Sequence, residues 1–338
     1  CIIMARASTA RLVASGALVL ALTAIFSASN PGSSLSGFFR RQDTQDNASG
    51  DDASGLDQAW SSACCWARGA RARLESLAPG KGGGGSPASA EAQSAAREGE
   101  RLLKRRTVST CADAAEKFKR AYELDPSEPK HANLAAEALN ALMRMQTNAN
   151  AICFDGSNDT PGHRKIWKAY GPESERLAHL AYSKKPSMEF LATYTDSYIF
   201  SCSYKGLVSQ ALTGAGSKYQ SLAKKLQAKP SLDSGVGYAL LGCFYQEAPW
   251  PLHSSEKAKD CMRQALKKGG ETRRNLYYAG VVSYKRKEYA EAVKYFKKAA
   301  TAPCGSVKEG DFGAWMASES KRGLTSARKL LAESGASL

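Results

Sequence analysis

Four histidines and nine cysteines are the side chains through which this 338-residue chain could do metal or nucleophilic chemistry. His131, His163, His179 and His253 include no H-E-x-x-H pair, and no C-x-x-C accompanies them, so the spacing that zinc needs is missing. Cys1, Cys64, Cys65, Cys111, Cys153, Cys202, Cys243, Cys261 and Cys304 are odd in number, and most fall inside apolar helical patterns. There a thiol behaves as a small buried hydrophobe. A disulfide framework would suit an extracytoplasmic domain, with Cys243 and Cys261 on successive helices as the first pair to test; structural thiols are the simpler expectation. Cys153 and His163 lie ten residues apart across a loop, and sequence distance alone does not join them as nucleophile and base. No G-x-S-x-G, dinucleotide or kinase signature occurs. The glycine run Gly82–Gly85 lacks both the G-x-x-x-x-G-K-[ST] pattern of a phosphate loop and a strand before it. These residues predict no enzyme, no cofactor and no metal site.

Any function must then come from the framework. Hydrophobic residues make up 43%, enough for a sizeable interior, and the net charge of +15 with pI near 9.4 favours acidic partners or anionic surfaces. The excess is concentrated between His253 and Leu330, with 18 Lys and Arg against 8 Asp and Glu. Either a solvated helical surface or a dedicated anion-binding face accounts for it.

The N-terminus reads as a targeting segment from Met4. A basic, acid-free lead with Arg6 and Arg11 precedes an apolar run from Leu12 to Phe26, small residues Ser27-Ala28-Ser29, and the helix-breaking Asn30-Pro31-Gly32. Residues 1–29 are thus expected to be a secretory signal peptide or a short membrane anchor; an organelle transit sequence over residues 4–41 is the alternative. Residues 30–88 form a flexible linker carrying one short helix near Leu56–Leu77, followed by the hinge Pro79-Gly80-Lys81-Gly82-Gly83-Gly84-Gly85-Ser86-Pro87.

From Ser89 onward apolar residues recur at spacings of three and four, with Pro or Gly at many ends. The pattern predicts helices over 89–105, 108–124, 128–146, 162–184, 188–206, 216–228, 233–247, 254–268, 272–286, 288–301 and 309–333, with a loop at 147–161. Short connections between such helices imply antiparallel hairpins.

A repeat lies within these hairpins. Gly280 precedes Ala292 by twelve residues, with Tyr289 between them and Phe296 and Ala299 after. Upstream, Tyr238-x2-Leu241-Gly242-x2-Tyr245 precedes a helix carrying Ala258, Met262 and Ala265; a proline-bearing loop, Ala248–Ser254, adds four residues to the spacing. Ala114-x3-Phe118, Ala121 and Pro126 form the second half of another unit, and degenerate units lie around Leu177–Pro186 and Leu222–Pro230. A small residue on each helix lets two axes approach closely while an aromatic ring fills the space beside the crossing. The pattern W-x2-L-G-x2-Y, A-x3-F, P is that of the tetratricopeptide repeat, and residues 89–338 resemble that superfamily. The resemblance implies an all-α chain of antiparallel hairpins stacked as a solenoid, with a disordered N-terminal region. The last hundred residues further resemble the helical proteins associated with TRAP-type transporters, through Leu241-Gly242-x2-Tyr245, the Pro-Trp-Pro loop, Ala258 and Asn275-Leu276-Tyr277-Tyr278. The final hairpin with Ala302-Pro303 also resembles the regulator of microtubule dynamics family, whose members are often membrane-tethered.

Stacked hairpins present a curved inner wall lined by the first helix of each pair. On 128–146 the residues Lys130, Asn133, Glu137 and Asn140 share one helical face, and on 272–286 Arg274, Tyr277, Tyr284 and Lys285 share another. Either stripe suits the backbone and side chains of a bound peptide, or is an ordinary wet helix face. Lys and Asn positions of the clamp that grips peptide C-termini are not assembled, so capture of such tails is not expected. The leading expectation is a non-catalytic adaptor binding a protein or peptide partner at or across a membrane, in the secretory pathway or anchored, or else in an organelle. The alternatives are a ligand-binding component of a transport system and a binder of acidic surfaces; nucleic acid is not expected, because Tyr277, Tyr278, Tyr284, Tyr289 and Tyr295 fall at core spacing.

Overall fold

The computed structural model describes residues 87–205 and 214–334. The targeting segment, the helix expected at Leu56–Leu77 and the hinge up to Ser86 lie outside the described residues, and Pro87, expected to end that hinge, opens the first helix. Among the described residues the structure is helical, without strands: α1 (Pro87–Arg105), α2 (Val108–Leu124), α3 (Pro129–Thr147), α4 (Pro161–Lys184), α5 (Met188–Ser203), α6 (Ala215–Leu226), α7 (Val236–Glu247), α8 (Ser255–Gly269), α9 (Arg273–Lys285), α10 (Tyr289–Ala299), the short turn α11 (Val307–Gly310) and α12 (Gly313–Glu333). No helix among them is long and apolar enough to cross a membrane.

The starts are coded by caps. The side chains of Thr107, Thr160, Ser187, Ser254, Thr272 and Ser306 each accept a hydrogen bond from the backbone N–H three residues on, satisfying one of the donors a helix leaves orphaned. Pro129 and Pro161 open α3 and α4, where a missing N–H costs nothing. Several expected boundaries shift by one to three residues, the helix expected over 188–206 ending at Ser203, and two shifts have a visible cause. The helix expected from 233 begins at Val236, because Asp233 and Ser234 take φ of 42° and 50° and close a 3-10 turn instead. The helix expected over 309–333 is two: α11 ends before Phe312, and α12 starts at Gly313.

Consecutive helices pack as hairpins, and the small residues lie at the crossings as expected. A Cβ on Gly280 would stand 2.7 Å from the Phe296 ring, and one on Gly242 would run into Met262. Ala114, Ala121, Ala258, Ala292 and Ala299 are fully buried. Leu241 and Tyr245 are buried too, Pro126 sits in the turn after α2, and Tyr289 packs partly buried on the core. The first-helix partner of the Phe118 unit, not picked out by pattern, is Gly99 on α1, whose Cβ would meet that ring at 2.9 Å. One core joins α1 to α7; a second joins α6 to α12 and takes in Ala151, Ile152 and Phe154 from the loop after α3.

Candidate partner-binding faces

The α3 face is built of charge. Glu137 follows Asn133 by one turn, and Arg144 follows Asn140 by another, continuing the same stripe. The Arg144 guanidinium, 4% exposed, donates to Glu137 (2.6 Å), to Asp196 on α5 (3.0 Å) and to Asp311 after α11 (2.8 Å). Arg106, in the α1–α2 turn, grips the same Asp311 carboxylate with two bonds of 2.7 Å. Lys308 of α11 closes on Glu137 at 3.0 Å. Burial drives the Glu137 carboxyl upward, but the charges of Arg144, Lys308 and Arg106 outweigh it and hold the pKa at about 2. Asp196 is raised instead, burial exceeding what Lys308 and Arg144 supply.

The α9 face works differently. Arg274 is buried and turns back to the 3-10 turn, donating to Asp233 Oδ2 (3.1 Å) and to the carbonyls of Asp233 (2.5 Å) and Ser234 (3.2 Å). Glu309 of α11, fully buried, accepts from the backbone N–H of Arg274 (2.6 Å) and of Gly305 (2.9 Å), so a carboxylate sits at the N-terminus of α9. Further along, the Tyr277 hydroxyl donates to the Ile152 carbonyl at 3.0 Å. Phe154 sits edge-on to Tyr284 (5.3 Å) and to Phe296 (5.8 Å).

Segments of the same chain lie against both predicted stripes. The turn Ser306–Asp311 lies on the α3 face; the loop Ala151–Asp155 lies on the α9 face. Asn133, Glu137, Asn140, Arg274 and Tyr277 are all buried, Glu137 against that turn and Tyr277 against that loop. Asn140 is spent inside, bonding the Thr193 carbonyl (3.1 Å) and Ser197 (2.9 Å) and accepting from Ser174 (2.7 Å). Lys130 stays exposed and pairs with Glu100, Lys285 pairs with Glu247, and Tyr284 is half-buried against Ser326. Sequence reasoning missed Arg106, Arg144, Asp196, Lys308 and Asp311. Arg144 was findable, since it continues the helical stripe; the other four reach the site from distant segments.

Burial pushes the Cys153 thiol up to about 11, and His163 bonds the Asn158 carbonyl through Nδ1 at 2.6 Å. Cys243 and Cys261 are free thiols, with burial pushing Cys261 up to about 11 and Cys243 higher.

Residues 252–305, covering α8 to α10, match the tetratricopeptide repeat family model. Here the geometry and the family pattern coincide, since this stretch holds Ala258, Gly280, Ala292 and Phe296. A thermophilic TPR protein of Thermus thermophilus resembles the chain at 15% identity and a TM-score of 0.45, over 68% of this chain and 98% of that one. The TPR2AB domain of yeast Sti1, solved in complex with pHSP90, resembles it at 15% identity and a TM-score of 0.27, over 70% of this chain and 98% of that one. No curated protein matches.

Proposed function

We propose that this chain is a non-catalytic helical-repeat adaptor that holds a protein or peptide partner. The observation carrying the reading is that two helix faces hold segments of the chain itself by the means a foreign peptide would need. One supplies buried, paired charges; the other supplies aromatic edges and a hydroxyl aimed at a backbone carbonyl. Lys130, Tyr284 and Lys285, which keep accessible surface at the rims, are the predicted contacts a partner meets first. Membrane association or export belongs to the same proposal and rests on the sequence of the Leu12–Phe26 segment alone. Crosslinking with the full chain as bait at low ionic strength should retrieve a specific protein, and the bait carrying Tyr284→Ala and Lys285→Glu should retrieve less of it. Failure of the full chain to retrieve any protein overturns the reading.

A second reading is favoured by one observation. Lys267, Lys294, Lys297 and Lys321 are exposed on α8, α10 and α12 with no ion pair among the described residues. Such a surface suits an acidic partner, and its binding must weaken steeply with salt.

A further inference from the structure

We propose, resting on the acidic-partner reading just given, that the outer face of the α10–α12 pair is a docking surface for an anionic lipid bilayer.

Packing decides which way the side chains of this pair point. The two helices meet where Phe296 lies against Gly323, and the same ring lies against Gly280 of α9. Toward that contact α10 buries Ala292, Val293, Phe296 and Ala299, and α12 buries Met316, Gly323, Ala327 and Leu331. At about 100° per residue, Lys294 and Lys297 on α10 and Lys321 and Arg328 on α12 then fall on the side turned away from α9. All four are exposed.

Charge is sorted around these two helices. Their three acids pair off this face: Glu291 turns to Lys259 of α8 at 2.8 Å, Glu319 to Arg322, and Glu333 to Lys329 at 4.0 Å. The cations beside the face are paired too, Lys298 with Glu271 and Arg322 with Asp155 as well as Glu319. Lys294, Lys297, Lys321 and Arg328 have no ion pair among the described residues. A surface that serves solubility alone intersperses both signs. Here one sign is left uncancelled.

What the face lacks narrows the partner. The exposed large apolar side chains of the described residues, Val108, Trp250, Leu252 and Val307, all lie on other elements. The face therefore offers neither the anchor of a protein hot spot nor a ring on which a nucleic-acid base could stack. Three of its four cations are lysines, flexible point charges that suit anions free to rearrange, such as lipid headgroups. Each cation brought to an anionic leaflet strengthens binding by about fivefold.

The test is co-sedimentation of the full chain with vesicles of phosphatidylcholine containing about 30% phosphatidylserine, and with phosphatidylcholine alone. Wild type is compared with a face variant carrying Lys294→Gln, Lys297→Gln, Lys321→Gln and Arg328→Gln. A control carries Lys165→Gln, Lys168→Gln, Lys224→Gln and Lys225→Gln, at exposed lysines of α4 and α6. Both variants lose the same charge and all three proteins keep Leu12–Phe26, so neither net charge nor that segment separates them. The face variant should bind anionic vesicles at least about thirtyfold more weakly than wild type, and the control within about twofold. The difference should vanish on phosphatidylcholine alone and shrink with added salt. If the face variant loses its helical circular dichroism, the pair Lys294→Gln with Lys321→Gln decides, with an expected loss of about tenfold. Equal loss in face variant and control, or no loss in the face variant, overturns the proposal. A polyglutamate peptide or a DNA duplex held by wild type and lost by the face variant, with vesicle binding unchanged, removes the bilayer and leaves the acidic-partner reading standing. If no probe separates the face variant from wild type, that reading falls as well.

Discussion

At Phe296 three parts of the chain converge: Gly280 from α9, Gly323 from α12 and Phe154 from the loop all touch one ring. Added bulk at either glycine has nowhere to go, since a Cβ on Gly323 would also stand 2.8 Å from that ring. Gly280→Val should therefore lose about 1–3 kcal/mol of stability, read from the urea midpoint, while the exposed Lys321→Ala should change it little. Charge at the α3 face makes a pH prediction. The Glu137 carboxyl sits at about 2 against an ordinary 4.5, so its contribution is complete above 4.5 and is lost as pH falls through 2. Urea midpoints measured between pH 5 and 2 should fall for wild type and fall less for Glu137→Gln. Asp196 acts in the opposite sense, because its raised pKa favours the folded protein as that group takes up a proton.

Among the elements, the caps do most to fix where helices begin. Thr160 accepts from the His163 N–H at 3.1 Å and precedes Pro161; Thr160→Ala should cost about 1 kcal/mol and speed hydrogen exchange in the first turn of α4. Most helices were legible in the sequence for this reason: Ser, Thr and Pro at the starts, apolar spacing of three and four within. The exceptions are physical. Asp233 and Ser234 adopt positive φ to bring two carbonyls to Arg274, and no local pattern announces that a distant arginine will collect them. The candidate faces were legible for the same reason as the helices, since residues three and four apart share a side. What covers them was not. Asp311 lies 167 residues from Arg144, and a contact of that span leaves no periodic trace in either segment.

On the scale of the whole described molecule, the turn between α10 and α12 meets the turn between α1 and α2. Arg106 and Arg144 converge on Asp311, which is 1% exposed at its side chain. Removing that carboxylate takes one partner from each cation while Arg144 keeps Glu137 and Asp196 and Arg106 keeps Glu137 at 3.5 Å, so the loss should fall below the about 3–5 kcal/mol of a buried pair broken outright. Asp311→Asn should free the Ser306–Gly310 turn from α3 first, so limited proteolysis should cut there before the helices melt. Added salt should shift this little, because buried pairs are poorly screened.

That closure restricts how the array can grow. An open stack of hairpins tolerates duplication or loss of a unit, since each contacts only its neighbours. Here an extra hairpin between α5 and α9 would carry Asp311 away from Arg106, and deleting one would drive the two turns into each other. Variants that differ by a whole hairpin in this stretch should thus be far rarer than variants that change surface residues, because hairpin number has become part of the recognition between the two turns.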